Sequence, residues 1–157
     1  MKRINAFLWF DSKAEAAAKF YVGIFKNSKI DRITRYREAG PGPKGSVMTV
    51  DFTLDGVRFV ALNGGPQFKF TEAISLYVNC GSQDEVDTYW DKLADGGEVL
   101  MCGWLKDKFG LSWQVTPLFL GDMLADPDAE KENRVMKAIM DMGKIDIAAL
   151  NKAAISS

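Results

Sequence analysis

Few residues in this chain could take part in catalysis or metal binding, and the absence of histidine excludes the most types of site. The 157-residue sequence contains no histidine, which excludes Ser–His and Cys–His nucleophile pairs, HExxH zinc sites and every metal site with an imidazole ligand. Cys80 and Cys102 remain as thiols, and two cysteines are too few for a disulfide scaffold or a structural zinc site. We expect both to be reduced, and Cys102 to be a buried, inert thiol because no histidine is present to lower its pKa.

Two glycine-rich segments differ from the loops that bind nucleotides. Class I methyltransferases bind adenosylmethionine at a glycine-rich strand-to-helix turn, whereas Gly64-Gly65 leads into Pro66 and aromatic residues. The segment Gly40–Gly45 contains two prolines, which have no amide donor, and no Lys-Ser or Lys-Thr pair follows it as a phosphate-binding loop requires. The sequence therefore gives no support for a nucleotide site.

Composition and charge narrow the class of protein. With 47% hydrophobic and 26% charged residues, the chain has the profile of one globular domain. Its 20 basic and 21 acidic residues leave a formal charge of −1 without clustered Lys and Arg, so we expect neither a nucleic-acid nor a membrane partner. The apolar stretch Ile4–Phe10 is too short for a signal peptide or a membrane span, and we expect a cytoplasmic protein.

The first half of the chain has the pattern of a strand, a helix and three further strands. Ser12 and Glu15 match the S-x-x-E capping box, in which the serine oxygen accepts from the N3 amide, and they predict a helix to about Phe25. Asp55-Gly56 predicts a type I′ turn between two strands, since that turn needs positive φ at both positions. The predicted strands are Ile4–Phe10, Lys29–Arg37, Ser46–Leu54 and Val57–Asn63.

The second half repeats this order. Ser82 and Glu85 form a second capping box, 70 residues after the first. The predicted strands are Ala73–Cys80, Glu98–Trp104 and Leu111–Thr116, and Lys106–Gly110 has room for a further one. Cys102 and Trp104 alternate on one of these strands and should face the same side. We favour an internal duplication of a βαβββ unit over two coincidental βα pairs.

The remainder of the chain is predicted to be helical. Asp126 is expected to cap a helix with Pro127 at its first position, where the missing amide hydrogen costs nothing, and Asp146 to cap a last short helix. The first helix carries an apolar stripe that either packs on its own domain or forms a subunit contact, for which methionine is suited because it adapts to irregular surfaces. The stripe consists of Val135, Met136, Ile139, Met140 and Met142.

Four segments resemble a known family. They are LWFDSKAEAAAKFYVGIFKNSKI (Leu8–Ile30), FVALNGGPQFKF (Phe59–Phe70), ISLYVNCGSQDEVDTYWDKL (Ile74–Leu93) and CGWLKDKFGLSWQVTP (Cys102–Pro117). Paired βαβββ modules are similar to the vicinal-oxygen-chelate superfamily of glyoxalase I, bleomycin-resistance proteins and extradiol dioxygenases. The segments resemble its PhnB-like branch, often labelled "3-demethylubiquinone-9 3-methyltransferase" domain.

The resemblance implies an α+β fold, in which paired βαβββ modules form a half-open barrel followed by C-terminal helices. The whole chain, 1–157, is then a single vicinal-oxygen-chelate-like domain. Module 1 spans about 1–65, module 2 about 71–118, and the helical tail about 126–155.

The resemblance also implies positions for a divalent metal, held in the superfamily by His, Glu or Gln from the first and last strands of each module. Here the first position falls around Asn5–Phe7, where nothing ligates well, and the last strand of module 1 offers Ala61 and Asn63. Module 2 offers Glu72, at the edge of its first strand, and Gln114, on its last strand. At the position of Gln114, metal-binding relatives often carry Glu. One carboxylate and one amide make a poor site for Mg²⁺, Mn²⁺ or Zn²⁺, so we expect no metal and no other cofactor.

A pocket with apolar and aromatic walls between the modules is implied as well, since small molecules bind in such concave sites. The alternative interpretation is that Asn63 stabilises a turn and that the phenylalanines pack in the core, without contacting a ligand. Gln114, pointing inward as the resemblance implies, needs a hydrogen-bond partner, because an unpaired buried amide costs about 1–3 kcal/mol. The candidate ligand-binding residues are Asn63, Gln67, Phe68, Phe70, Cys102, Trp104 and Gln114.

Three functions follow from this interpretation. The leading one is a metal-free protein that binds an apolar or aromatic small molecule and acts as a homodimer. The second is an enzyme of the superfamily, a lyase, isomerase or dioxygenase, or the methyltransferase of the family label. Its acid/base would be Glu72, because a carboxylate beside an apolar pocket can have a raised pKa. The third is a dimeric interaction module that works through Met136 and Met140.

Overall fold

The computed structural model describes residues 2–155, which form two compact units, one up to Phe70 and one from Thr71 onward. Within the described residues, no helix has the length and apolar character needed to cross a membrane. The first unit contains β1 (Ala6–Phe10), α1 (Ala14–Ile24), β2 (Lys29–Arg35), β3 (Val47–Leu54) and β4 (Val57–Asn63).

The first unit is a four-stranded sheet with one helix packed on it. The strand order is β1-β4-β3-β2, in which β1 and β4 are parallel and the other pairs antiparallel. Tyr21 of α1 and Phe52 of β3 are both buried, with ring centroids 6.2 Å apart. Val50, Phe52 and Leu54 of β3 are buried, as the predicted alternation requires, but Asp51 between them is buried as well. The type I′ turn is also confirmed, since φ is 45° at Asp55 and 77° at Gly56.

The second unit repeats this topology, which confirms the predicted α+β class and the paired βαβββ modules. It contains β5 (Ser75–Cys80), α2 (Gln83–Ala94), β6 (Glu98–Val99), β7 (Trp104–Lys106) and β8 (Ser112–Pro117). The strand order is β5-β8-β7-β6, and β5 pairs with β8 in parallel as β1 does with β4. The last pairs in the two registers are Phe10 with Asn63 and Cys80 with Pro117.

The predicted strand Glu98–Trp104 is wrong, because a turn divides it into β6 and β7. Cys102 and Gly103 have φ of 62° and 79°, a left-handed backbone that cannot continue a strand. Their amides donate to the carbonyls of Met142 and Gly143, at 2.7 and 2.8 Å. Cys102 and Trp104 therefore do not alternate on one strand as expected.

The two predicted capping boxes have different outcomes. The Ser82 hydroxyl accepts from the Glu85 amide at 3.2 Å, which confirms the cap of α2. The Ser12 cap is wrong, because α1 has Lys13 at its N-cap. The first amide of α1, that of Ala14, donates instead to Asn63 Oδ1 at 2.8 Å. A side chain from the end of β4 thus replaces the local cap.

Three helices complete the second unit: α3 (Leu120–Leu124), α4 (Ala129–Met140) and α5 (Ile147–Ile155). Asp128, rather than the predicted Asp126, caps α4, because its side chain accepts from the amides of Glu130 and Lys131. The predicted cap of α5 is confirmed, since Asp146 Oδ1 accepts from the Ala149 amide. On α4, Val135 and Ile139 are buried, whereas Met136 and Met140 are exposed.

Candidate functional site

The face of the second sheet that points away from α2 carries a row of three side chains on adjacent strands. Gln114 of β8 is paired with Tyr77 of β5 on one side and with Trp104 of β7 on the other. Paired residues point to the same face of a sheet, with Cβ atoms about 4.5–5.5 Å apart. Tyr77 is 48% exposed, and Trp104 and Gln114 are partly buried. Two aromatic side chains therefore flank an amide.

The amide of Gln114 is held in a fixed orientation. Its Nε2 donates to the Ser75 hydroxyl at 2.9 Å, and within residues 2–155 its Oε1 has no partner. Two residues before it on β8, Ser112 is fully buried, and its hydroxyl has no hydrogen-bond partner in the described part of the chain. The row thus offers Gln114 Oε1 as a free hydrogen-bond acceptor, and the buried Ser112 hydroxyl nearby lacks a hydrogen-bond partner among the described residues.

The equivalent row of the first unit has a different chemistry. Phe7 of β1 pairs with Val60 of β4, which in turn pairs with Asp51 of β3. Asp51 is buried, and its Oδ2 accepts from Nη2 of Arg32 at 2.5 Å and from Nη2 of Arg58 at 3.0 Å. A hydrophobic residue therefore stands where the second unit has Gln114, and the one carboxylate is engaged by two guanidinium groups.

The residues present do not fit the divalent metal that the superfamily implies. Gln114 corresponds in register to Val60, which has no donor atom. Of the two other candidates in the first unit, Ala61 is fully buried and Asn63 caps α1. Among the described residues, no group of three or more His, Cys, Asp and Glu could hold an ion. An amide and a tyrosine are poor ligands for a hard cation compared with carboxylates.

Glu72 has a lowered pKa, so the raised value expected for it is wrong. Its carboxylate forms an ion pair with Lys106 Nζ, and the hydrogen bond from this ammonium lowers the pKa of Glu72 below the ordinary range. The same contact raises the pKa of Lys106. The Glu72 side chain is 51% exposed, so the desolvation that would raise its pKa is slight. A carboxyl held in its charged form is poorly suited to donate a proton.

A cleft of about 600 Å³ opens in the first unit, at the ends of β1 and β4. Two of the predicted ligand-binding residues, Asn63 and Gln67, line it. The other lining residues come from the β1–α1 connection and the first turn of α1, from the loop after β2 with the start of β3, and from the segment after β4. They are Asp11, Ser12, Glu15, Tyr36, Pro41, Gly42, Pro43, Ser46, Val47, Gly64, Gly65 and Pro66.

Asn63 connects three walls of this cleft. Besides capping α1 with its Oδ1, it donates from Nδ2 to the Val47 carbonyl at 3.1 Å. Its backbone carbonyl accepts from the Tyr36 hydroxyl at 2.6 Å. The side chain is thus occupied by the fold, and it shapes the cleft more than it offers free atoms to a ligand.

Three further predicted residues, Phe68, Phe70 and Cys102, do not line the cleft. Phe68 and Phe70 make edge-on ring contacts with Trp9 and Phe10, at centroid distances of 5.0 and 5.1 Å. Cys102 lies in the turn between β6 and β7.

Tyr77, Ser75 and Tyr36 were missed by sequence reasoning. The alternation of Ser75 and Tyr77 against Val78 and Cys80 in the predicted strand could have identified the first two. The Tyr36 hydroxyl bonds to the Asn63 carbonyl, 27 residues away, and no local sequence pattern predicts such a contact.

Comparisons with known proteins agree with this architecture. Residues 2–116 match a family model described as 3-demethylubiquinone-9 3-methyltransferase. Among solved structures, the chain is similar to a PhnB protein of Bacillus cereus whose description carries the same methyltransferase name. Identity is 43%, the alignment covers 74% of this chain and 99% of that chain, and the TM-score is 0.68. No curated protein matches the sequence.

Two further structures share the fold at low identity. A Pseudomonas aeruginosa protein is 20% identical, with 74% of this chain and 98% of that chain covered and a TM-score of 0.62. The fosfomycin resistance protein FosX from Listeria monocytogenes is 16% identical, with 78% and 97% covered and a TM-score of 0.53. At these identities the likeness concerns the fold alone.

Proposed function

The chain belongs to the 3-demethylubiquinone-9 3-methyltransferase family, the PhnB-like branch with the vicinal-oxygen-chelate fold, and we propose that it binds a small apolar or aromatic molecule without a metal. The observation that carries this proposal is the row of Tyr77, Gln114 and Trp104. An aromatic ligand packs against the two rings, and its N–H or O–H group donates to Gln114 Oε1. A few fixed polar groups among aromatic side chains are typical of small-molecule sites.

Methyl transfer receives no support from the topology. Adenosylmethionine and other nucleotide cofactors are bound by many folds at a glycine-rich turn between a strand and a helix of a parallel sheet. Here each sheet contains one parallel pair, and β1 leads into α1 through Asp11, Ser12 and Lys13. Ligand binding is therefore favoured over the reaction in the family description.

The proposal is tested with the fluorescent probe 1-anilinonaphthalene-8-sulfonate, whose aromatic body reports apolar sites. Tyr77→Ala and Gln114→Ala should each weaken probe binding by about fivefold, as expected for one lost aromatic or polar contact. Phe7→Ala is the matched control, because Phe7 holds the equivalent place in the first unit and is 59% exposed. Equal losses for Tyr77→Ala and Phe7→Ala would contradict the proposed site.

Metal independence is tested separately. Native mass spectrometry of protein prepared without chelator should show no stoichiometric divalent ion. One tightly held ion per chain would refute this part of the proposal. The same spectra report whether the chain forms the homodimer expected from the sequence, to which the exposed Met136 and Met140 would contribute.

A further inference from the structure

We propose that the cleft of the first unit is a second ligand site, which takes a small organic cation with an apolar body. No residue of the row of Tyr77, Gln114 and Trp104 lines this cleft, and the proposal does not depend on the row. All of its lining residues belong to the first unit.

One wall of the cleft is apolar and rigidly held. Tyr36 is 6% exposed, and hydrogen bonds fix both its hydroxyl and its backbone: the hydroxyl donates to the Asn63 carbonyl, and the Tyr36 amide donates to the Ser46 carbonyl at 2.9 Å. A Cβ at Gly42 would overlap the Tyr36 ring, so glycine is required for this loop to lie against it. The prolines Pro41, Pro43 and Pro66 complete the wall.

A second wall of the cleft is acidic. Asp11 and Glu15 carry the only charges among the lining residues that the structure describes, which contain no Lys or Arg, so the cleft has a formal charge of −2. The Asp11 carboxylate has no hydrogen bond or ion pair within residues 2–155. Glu15 pairs with Lys19 at 3.0 Å, but the Lys19 side chain is 64% exposed, so a ligand can replace this ammonium at little cost.

The size and the two walls together specify the ligand class. A cleft of about 600 Å³ is within the range of sites that bind drug-sized molecules. The apolar body of such a ligand packs against the prolines and the Tyr36 ring, and its ammonium group lies near Asp11 and Glu15. An anionic ligand of the same shape is repelled by both carboxylates.

Three probes with one apolar body test the charge requirement: benzylamine as the cation, benzyl alcohol as the neutral analogue and benzoate as the anion. In NMR titrations of isotope-labelled protein, benzylamine should shift the resonances of cleft residues at millimolar concentration. Benzyl alcohol should bind at least about threefold more weakly, because one partly exposed ion pair contributes up to about 1 kcal/mol, which is about fivefold in affinity. Benzoate should give no shifts in the cleft.

Variants separate the carboxylates from general effects of charge. Asp11→Asn and Glu15→Gln should each weaken benzylamine binding by about threefold to fivefold. The matched control is Asp84→Asn, which removes an exposed carboxylate from the first turn of α2. That variant should leave the benzylamine affinity of the cleft unchanged. Because benzylamine is itself aromatic and carries N–H groups, the shifts of Tyr77, Gln114 and Trp104 are fitted separately from those of the cleft, so the two proposed sites can fail independently.

Three results would overturn the proposal. They are equal affinity of the cleft for benzylamine and benzyl alcohol, equal losses for Asp11→Asn and Asp84→Asn, and the absence of benzylamine shifts at the residues of the cleft. The probe series and the shift mapping use the wild-type chain, so the proposal stays testable if a variant fails to fold.

Discussion

The two units have the same strand order but stabilise the start of their helix in different ways. In the first unit, Asn63 at the end of β4 caps α1 across 49 residues. In the second, Pro117 occupies the equivalent register position and offers no side-chain hydrogen bond, and Ser82 caps α2 locally. A duplicated topology thus retains its backbone pairing while the polar contacts around it change.

The surroundings of the two helices differ as well. In the first unit, the long connection between β2 and β3 and the segment after β4 leave a cleft beside α1. In the second, Gln83 in the first turn of α2 donates to the Ile145 carbonyl at 3.0 Å and accepts from the Ile147 amide at 2.8 Å. The C-terminal segment therefore binds at α2, whereas the corresponding region of the first unit stays open to solvent.

The largest effect is expected from the buried carboxylates. Asp107 of the second unit accepts from Trp113 Nε1 and from the amides of Phe109 and Leu111, at 2.8–3.1 Å. Asp107→Ala leaves buried donors without this acceptor and should reduce the free energy of unfolding in urea by about 3–5 kcal/mol. Asp51→Ala should cost less, because its partner Arg32 is 65% exposed and water can solvate the guanidinium. Equal losses for the two variants would contradict this contrast.

A pH-dependent difference is expected at the position that is Phe10 in the first unit and Cys80 in the second. Burial raises the pKa of the Cys80 thiol from 9.0 to about 11, with a further contribution from the charge of Glu85. Between pH 9 and 11 the unfolded chain loses this proton and the folded chain keeps it, so stability falls as pH rises, by up to about tenfold in the folding equilibrium per pH unit. Urea unfolding of Cys80→Ala should show a shallower decline; identical pH profiles would refute the assignment.

Removal of the two helix caps should reduce the free energy of unfolding by smaller amounts, which differ between the units. Asn63→Ala removes both the cap of Ala14 and the bond to the Val47 carbonyl, and should cost about 2 kcal/mol of unfolding free energy. Ser82→Ala removes one local cap and should cost about 1 kcal/mol. Asn63→Asp retains the acceptor and should fall between them. The interpretation fails if Asn63→Ala is no more costly than Ser82→Ala.

The smallest change in the free energy of unfolding is expected for a substitution of Ser112. Its hydroxyl is buried without a partner among the residues that the structure describes, so Ser112→Ala removes an unmet polar group. The variant should be neutral or more stable by up to about 1 kcal/mol in urea unfolding. Val57→Ala, at an exposed site on the first sheet, is the control for loss of side-chain volume. A clear loss of stability in Ser112→Ala would indicate that the hydroxyl binds a water molecule.

Sequence reasoning succeeded where the determining chemistry is local. The alternation along β3, the Asp55-Gly56 turn and the Ser82 cap each depend on residues within a few positions of one another. The duplicated topology that the 70-residue repeat predicted is confirmed, and this repeat is carried by such local patterns.

The errors and omissions have a common physical cause. The turn at Cys102 depends on carbonyls 40 residues later, and the cap of α1 on a side chain 49 residues away. The first-unit cleft is formed by three segments that no sequence pattern connects, although two of its residues, Asn63 and Gln67, are among those that the sequence predicts to bind a ligand. Periodicity reports which face of an element is buried, but not which distant atom will satisfy its end groups.

The parallel pairing of β1 with β4 affects when the first sheet can form during synthesis of the chain on the ribosome. The last strand, β4, hydrogen-bonds to both β1 and β3, so the sheet lacks two of its three strand pairs until Asn63 has emerged from the ribosome. Once that residue is available, every strand of the first sheet is present, and none of its register requires the 94 residues that follow Asn63. The first unit can therefore complete its hydrogen-bond network while the second is still being synthesised.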